Sequence, residues 1–189
     1  MAAGTRQVVY AVAASLDGYI AGPNGEADWI PMDPDIDFTA IFARYDTLLV
    51  GRKTFAGMNG QGGSGGGGFG MKTVVFSRTL KPADHPKVTI VADRITETIA
   101  ELKAQSGKDL WLFGGGDLFR SLATLGLVDR VAVAVVPMLL GGGLPLFPAP
   151  GPRIPLKLET ERLYEKSGIL LLEYAVARPR LREDSAGDT

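Results

Sequence analysis

No cysteine occurs among the 189 residues, and histidine occurs once, at His85. The first absence excludes disulfides, thiolate metal sites and a cysteine nucleophile. The second leaves no zinc constellation and no histidine-assisted serine. Excess charge of either sign is also missing, since 20 Lys and Arg stand against 21 Asp and Glu for a net charge of −1. No bulk field therefore recruits nucleic acid or an anionic membrane. The most apolar stretch, 131–146, carries Pro137 and Gly141 to Gly143 and is too short and too broken to span a bilayer. The N-terminus, MAAGTRQVVYAVAASLDGYIAG, alternates and runs into a turn, unlike a signal peptide. A reducing cytoplasm fits, with neither nucleic acid nor membrane as partner.

What is present is apolar and rich in glycine. A hydrophobic fraction of 46% with 22% charged residues is ordinary for a soluble globular chain. The length suits one domain over residues 1–178, followed by a polar tail, 179–189. Short apolar runs at 8–15, 47–50, 72–77, 88–92 and 110–113 read as strands, several buried on both faces as in a parallel sheet. Helical patterns separate them. One starts at Asp33 as N-cap with Pro34 at the first position and uses Phe38, Ile41, Phe42 and Tyr45. Another begins near Thr96 and stops at Gly107, and a third uses Leu118, Leu122 and Leu125 and ends at Gly126. Residues 60–70 hold eight glycines in eleven positions and read as a mobile loop. After a strand at 130–136 and a Gly/Pro-rich loop at 137–152, two strands at 156–162 and 169–178 pair antiparallel. The pattern is an α/β three-layer domain with a mainly parallel central sheet and antiparallel C-terminal strands.

Several motifs fail on inspection. Ser64 lies in a formal G-x-S-x-G, but in low-complexity sequence without a preceding strand or a histidine partner. The run from Asp33 begins like a calcium loop, yet Phe38 and Arg44 occupy its glycine and glutamate positions. No P-loop occurs, and Gly114-x-Gly116-x-x-Phe119 lacks the third glycine of the dinucleotide fingerprint.

Three turns survive, each after a strand. Gly51, Arg52, Lys53 and Thr54 open a short helix. Ser77, Arg78 and Thr79 end the next strand. Gly114, Gly115 and Gly116 lead from LWLF into a helix that starts with Asp117 and Leu118. Ends of parallel strands share one sheet edge, and bare amides at helix starts accept phosphate. Arg52 and Arg78 can add the charge-assisted bonds of a phosphate monoester, or can simply be solvated surface residues. A doubly charged dinucleotide with a 2′-phosphate, NADPH, satisfies all three turns together.

SLDGYIAG, DWI, LLVGRKTF, VVFSRTL, LWLFGGGDLF, GLVDRVAVAVVP and GGGLPLF, in that order, resemble the dihydrofolate reductase superfamily. They are most similar to its bacterial branch shared with the reductase domain of the riboflavin-pathway deaminase–reductase. The resemblance spans about residues 8–176 and implies an NADPH-dependent reductase of a small pterin or aminopyrimidine-type heterocycle. Arg52, Lys53 and Thr54, beside Gly51, would hold the pyrophosphate side. Ser77 and Arg78 would hold the 2′-phosphate. Gly114, Gly115 and Gly116, with Asp117 and Leu118, would lie under the cofactor, and Ala14, Ile20 and Gly22 near the nicotinamide.

Reducing a C=N bond requires a proton at nitrogen, delivered directly or through water. The resemblance points to a carboxylate after the tryptophan, so Asp35 is the first candidate and Asp33 the second, with Trp29 walling the pocket. Apolar burial would raise that carboxyl toward working pH. Asp33 also reads as an N-cap, and Asp35 and Asp37 favour the positive end of a helix dipole. Met71 stands where the family's folate-gripping arginine is expected, and Glu26 and Asp28 stand where a phosphoribosyl-binding base is expected. The resemblance also implies a homodimer burying Leu139, Leu140, Leu144, Leu146 and Phe147. A non-catalytic NADP(H)-binding module is the alternative.

Overall fold

A computed structural model describes residues 5–60 and 69–177, with backbone alone at 59 and 60. The polar tail and most of the glycine-rich stretch, Ser64 included, lie outside the described residues. In chain order the elements are β1 (Val8–Ser15), β2 (Tyr19–Ala21), α1 (Phe38–Phe42), β3 (Tyr45–Gly51) and α2 (Arg52–Gly60). Then come β4 (Lys72–Phe76), β5 (Thr89–Val91), α3 (Ile95–Ala104), β6 (Asp109–Gly114) and α4 (Gly116–Thr124). The chain continues with β7 (Arg130–Val136), β8 (Leu144–Pro145), β9 (Leu156–Tyr164) and β10 (Ile169–Val176).

Eight strands form one sheet in the order β5-β4-β3-β6-β1-β7-β10-β9. From β5 to β7 all neighbours run parallel, and β10 and β9 close the sheet antiparallel. The central strands are apolar on both faces because helices cover both. Val8, Tyr10, Leu110, Leu112, Val131 and Val133 pack against Ile99 and Leu102 of α3 and Leu118, Phe119 and Leu122 of α4. The alternate residues Val9, Leu48, Val50, Val75 and Trp111 meet Ile41 and Phe42 of α1 and Phe55 of α2. No helix among the described residues is long and apolar enough to cross a membrane.

Three expectations need correction. The first helix starts at Phe38, where Asp37 Oδ1 accepts the Ala40 amide at 2.9 Å. Asp33 instead accepts the Asp35 amide at 2.8 Å, closing a local turn that competes with the helix. The helix expected from Thr96 is capped by Arg94, in left-handed conformation (φ 53°), and ends at Ala104, before Gly107. The Gly/Pro-rich loop contributes β8, which pairs with β2 through Tyr19↔Pro145 and Ala21↔Leu144. Leu146 and Phe147 accordingly pack against the chain's own core, while Leu139 and Leu144 stay 70% and 45% exposed.

Gly116 begins α4 directly beneath the β8 segment. A Cβ there would fall on Pro145 O and lie 2.9 Å from Pro148 Cδ and 3.2 Å from Leu146 O. At Gly57 in α2 a Cβ would meet nothing within 4 Å. Gly116→Ala should therefore destabilise by about 1–3 kcal/mol, the usual cost of overpacking. Gly57→Ala should stabilise by roughly 0.5–1 kcal/mol through helix propensity. Urea unfolding of the two variants checks the opposite signs.

Candidate active site

Because β4, β3, β6 and β1 run parallel, their C-terminal ends meet at one edge of the sheet. The three glycine or serine turns lie there together. A Cβ on Gly51 would sit 3.8 Å from both Gly114 O and Leu118 Cβ, and one on Gly115 would sit 3.6 Å from Thr54 Oγ1. The turns into α2 and α4 are thus in van der Waals reach, and side chains at these positions would fill the space between them. Gly114 adopts φ +134°, a conformation other residues rarely reach. The first amides of a helix lack intrahelical acceptors, and both α2 and α4 begin at this edge.

Ser77 follows β4 and is buried. Its amide donates to Val91 O at 2.9 Å, and its Oγ accepts the amides of Thr79 (3.2 Å) and Leu80 (3.1 Å). That small turn leaves Arg78 exposed beside the sheet end. Arg52 and Lys53, at the start of α2 on the neighbouring strand, are exposed as well. Among the described residues none of these three cations is in an ion pair. Asp117, in the first turn of α4, does pair with Arg120 at 3.3 Å.

The loop after β1 closes the other side. Ser15 Oγ donates to Asp17 (2.6 Å) and accepts the Tyr19 amide (3.0 Å). The Asp17 carboxylate also takes the amides of Leu140 (3.1 Å) and Gly141 (2.7 Å). The Ser15 hydroxyl and those amides hold this carboxyl below its usual range. Leu146 N reaches Gly18 O at 2.8 Å, so the β2–β8 pair is bound to both loops. Ile20 packs into the core beside Ala14, and Gly22 is buried.

Next to this edge the described residues cover the sheet face only in part. Ala11 and Ala13 of β1 and Ala134 of β7 are only half-buried although both strands are central. Register places Ala11 beside Ala132 and Ala13 beside Ala134. Small side chains here leave a shallow trough. Ala11 shares an apolar cluster with Phe42 and Phe113, and Ala13 and Ala134 share another with Trp29, Ile30 and Ile36. A separate cavity of about 380 Å³ lies on the opposite face, among Phe119, Val133, Phe147, Leu172 and Tyr174. Its lining carries one hydroxyl and no charge, so it offers nothing to a phosphate.

The two aspartates lie on the segment that walls the trough, but both are bound to the β9–β10 turn. Asp33 is buried and accepts the Ser167 amide at 3.0 Å. Asp35 is exposed, and its Oδ1 accepts from Lys166 Nζ at 2.8 Å. Ser167, then the Asp35 amide, hold the Asp33 carboxyl below its ordinary value, against the opposing effect of burial. The raised carboxyl expected from an apolar setting is therefore not what Asp33 shows. Trp29 donates Nε1–H to Glu26 O at 3.1 Å, and the Glu26 carboxylate folds back on Asn24. No group of three or more histidine, aspartate or glutamate side chains among the described residues is placed to hold a metal.

The sign of the Asp33 effect is fixed by that lowering. Its stabilisation is complete above the unfolded carboxyl pKa, about 3.9, and is lost as pH falls through the lower folded value. Asp33→Asn should lower Tm by a constant amount between about pH 5 and about pH 8, with the gap to wild type closing below about pH 4. Melting curves across that range check it.

The chain matches the RibD C-terminal domain family over residues 6–169. It is 37% identical over 180 residues to YyaP of Bacillus subtilis (strain 168), an uncharacterised protein, covering 89% of this chain and 94% of that one. A protein assigned to riboflavin biosynthesis in Shewanella sp. PV-4 superposes with a TM-score of 0.76 and 26% identity, over 92% of this chain and 99% of that chain. The dihydrofolate reductase of Enterococcus faecalis, complexed with NADP(H) and RAB-propyl, gives a TM-score of 0.63 at 18% identity, over 90% and 94% of the two chains. The fold is dihydrofolate reductase-like.

Proposed function

The chain belongs to the RibD C-terminal domain family, and from that premise we propose that it is an NADPH-dependent reductase of a small pterin- or aminopyrimidine-type heterocycle. The observation that carries this reading is the meeting of three anion-accepting turns at one sheet edge, with Arg52, Lys53 and Arg78 exposed around them. The glycine contacts leave a backbone-lined cradle of the kind a pyrophosphate needs. In this reading the amides that open α2 and α4, with Arg52, Lys53 and Thr54, hold the pyrophosphate. Ser77 and Arg78 hold the 2′-phosphate, since a guanidinium fork matches a phosphate monoester. Gly114 to Leu118 support the cofactor, and Ala14, Ile20 and Gly22 border the nicotinamide. When bound, NADPH supplies a hydride.

The alanine floor and its walls exclude water from one face of a flat substrate. Asp35, exposed on the segment that carries Ile36, passes a proton through solvent to the substrate nitrogen. Trp29 and Ile36 position the ring. We also assign a homodimer, supported by Leu156, Leu158 and Leu163 of the edge strand β9, which stay 43%, 46% and 58% exposed.

Steady-state NADPH oxidation with a panel of dihydropterins and aminopyrimidines tests the reading. Fluorescence quenching of NADPH without consumption by any candidate would leave a binding module instead. Arg78→Ala should weaken NADPH by about tenfold to hundredfold, as for loss of a charge-assisted bond, and leave NADH nearly unchanged. Equal weakening of both would remove Arg78 from the 2′-phosphate. Asp35→Asn should slow turnover while sparing NADPH affinity, read by pre-steady-state mixing and by titration.

A further inference from the structure

Resting on the reductase reading above, we propose that Phe69 is a specificity-determining residue of the trough, stacking against flat, aromatic substrates. Phe69 sits just before β4 with φ +60°, a left-handed conformation that is unfavourable for any side chain with a Cβ. Gly70 follows at φ +69°, so two residues turn the chain sharply back over the sheet. The turn does not serve burial, because Phe69 remains 48% exposed. It brings the ring onto one wall of the trough. Ring centroids lie 4.9 Å from Phe42, 5.1 Å from Trp111 and 5.7 Å from Phe113, the last edge-on at 61°.

These partners fix the ring's place. Trp111 is anchored by its own bond from Nε1 to Ala11 O at 2.8 Å, within the alanine floor. Phe113 immediately precedes Gly114, where the cofactor edge begins. The wall formed by Phe42, Phe69 and Phe113 thus runs from the sheet face to Gly114, where the proposed cofactor edge begins. The side chains that make the floor and this wall offer π faces and methyl groups, with no charge. Such a surface favours a planar π-system over a saturated ring of equal size, through offset or edge-to-face stacking.

The test is equilibrium binding of a dihydropterin and a 2,4-diaminopyrimidine to the full chain, read by quenching of tryptophan fluorescence. NADPH oxidation is measured in parallel. Phe69→Ala should weaken the heterocycle by about fivefold to tenfold, the range of aromatic pair energies, with NADPH affinity and Tm unchanged. Phe69→Tyr should restore wild-type affinity. Phe69→Gly, which relieves the backbone, should not lower Tm and should bind like the alanine variant. Equal heterocycle affinity in wild type and Phe69→Ala overturns the proposal, as does failure of the wild type to bind either compound. A parallel loss of Tm and NADPH affinity in the alanine and glycine variants also overturns it, by making Phe69 structural. Wild-type binding without NADPH consumption removes the reductase reading alone, and the affinity ratio still decides Phe69.

Discussion

The Arg6 guanidinium is 5% exposed at the end of the sheet farthest from the candidate site, and the relative position of four segments depends on it. Nε donates to Lys108 O, Nη1 to Leu102 O at 3.2 Å, and Nη2 to the Asp46 carboxylate and to Thr47 Oγ1 at 2.9 Å. Asp46 in turn accepts the Lys108 amide at 2.7 Å. Entry to β1, the start of β3, the approach to β6 and the end of α3 are thereby held together. A charge withdrawn from water is tolerated only when its donors are matched, so these segments have one arrangement available. A one-residue slip of β6 against β3 would turn every side chain to the wrong face. It would also carry Gly114–Gly116 out of reach of Gly51 and Thr54. Gly107 belongs to the same device, since a Cβ there would fall on Asp46 Oδ2.

Strands buried on both faces were legible because their signal is local. Runs such as LWLF and TLLV need no knowledge of partners, and a glycine or serine turn after each can be read from its neighbours. The parallel sheet then brings those turns to one edge by topology alone. Elements whose cause lies far along the chain were not legible. The pairing of β2 with β8 joins residues more than a hundred positions apart, and β8 is only Leu144–Pro145. Arg6 has no periodicity to mark it, because its significance comes from carbonyls at 102 and 108. The first helix starts later than its sequence pattern implies for a related reason. Asp33-Pro34 has the form of a helix start, but Ser167 competes for the Asp33 carboxylate across 134 positions. The helix begins instead where Asp37 can cap it unopposed.

The two halves of the candidate site rest on different physics, and that difference explains why one was easier to find. The proposed cofactor edge is built from backbone amides and from the space that missing side chains leave. Its requirements are generic, and sequence displays them as glycine, serine and arginine at strand ends. The trough is defined by relative size and by what covers a sheet. Ala11, Ala13, Ala132 and Ala134 look like ordinary strand residues until β1 and β7 are laid side by side. Only then do four small residues become one floor, and only then does the half-burial of Ala11, Ala13 and Ala134 show that the described residues leave the face above them partly open.

The same contrast bears on the carboxylates. A general acid needs a group whose surroundings raise its affinity for a proton. Asp33 has the burial but also hydrogen bonds from Ser167 and from the Asp35 amide, with the Lys166 charge nearby, and together these outweigh the burial. Asp35 is exposed and bound to Lys166. The segment between Trp29 and Phe38 therefore contributes shape more than charge: Trp29, Ile30 and Ile36 wall the trough while Asp33 and Asp35 bind that wall to the β9–β10 turn. In the proposed reaction Asp35 is then left to pass its proton through water at the trough's rim. The interior of the trough is left to stacking and exclusion, which is the environment that the proposed reduction of a flat ring requires.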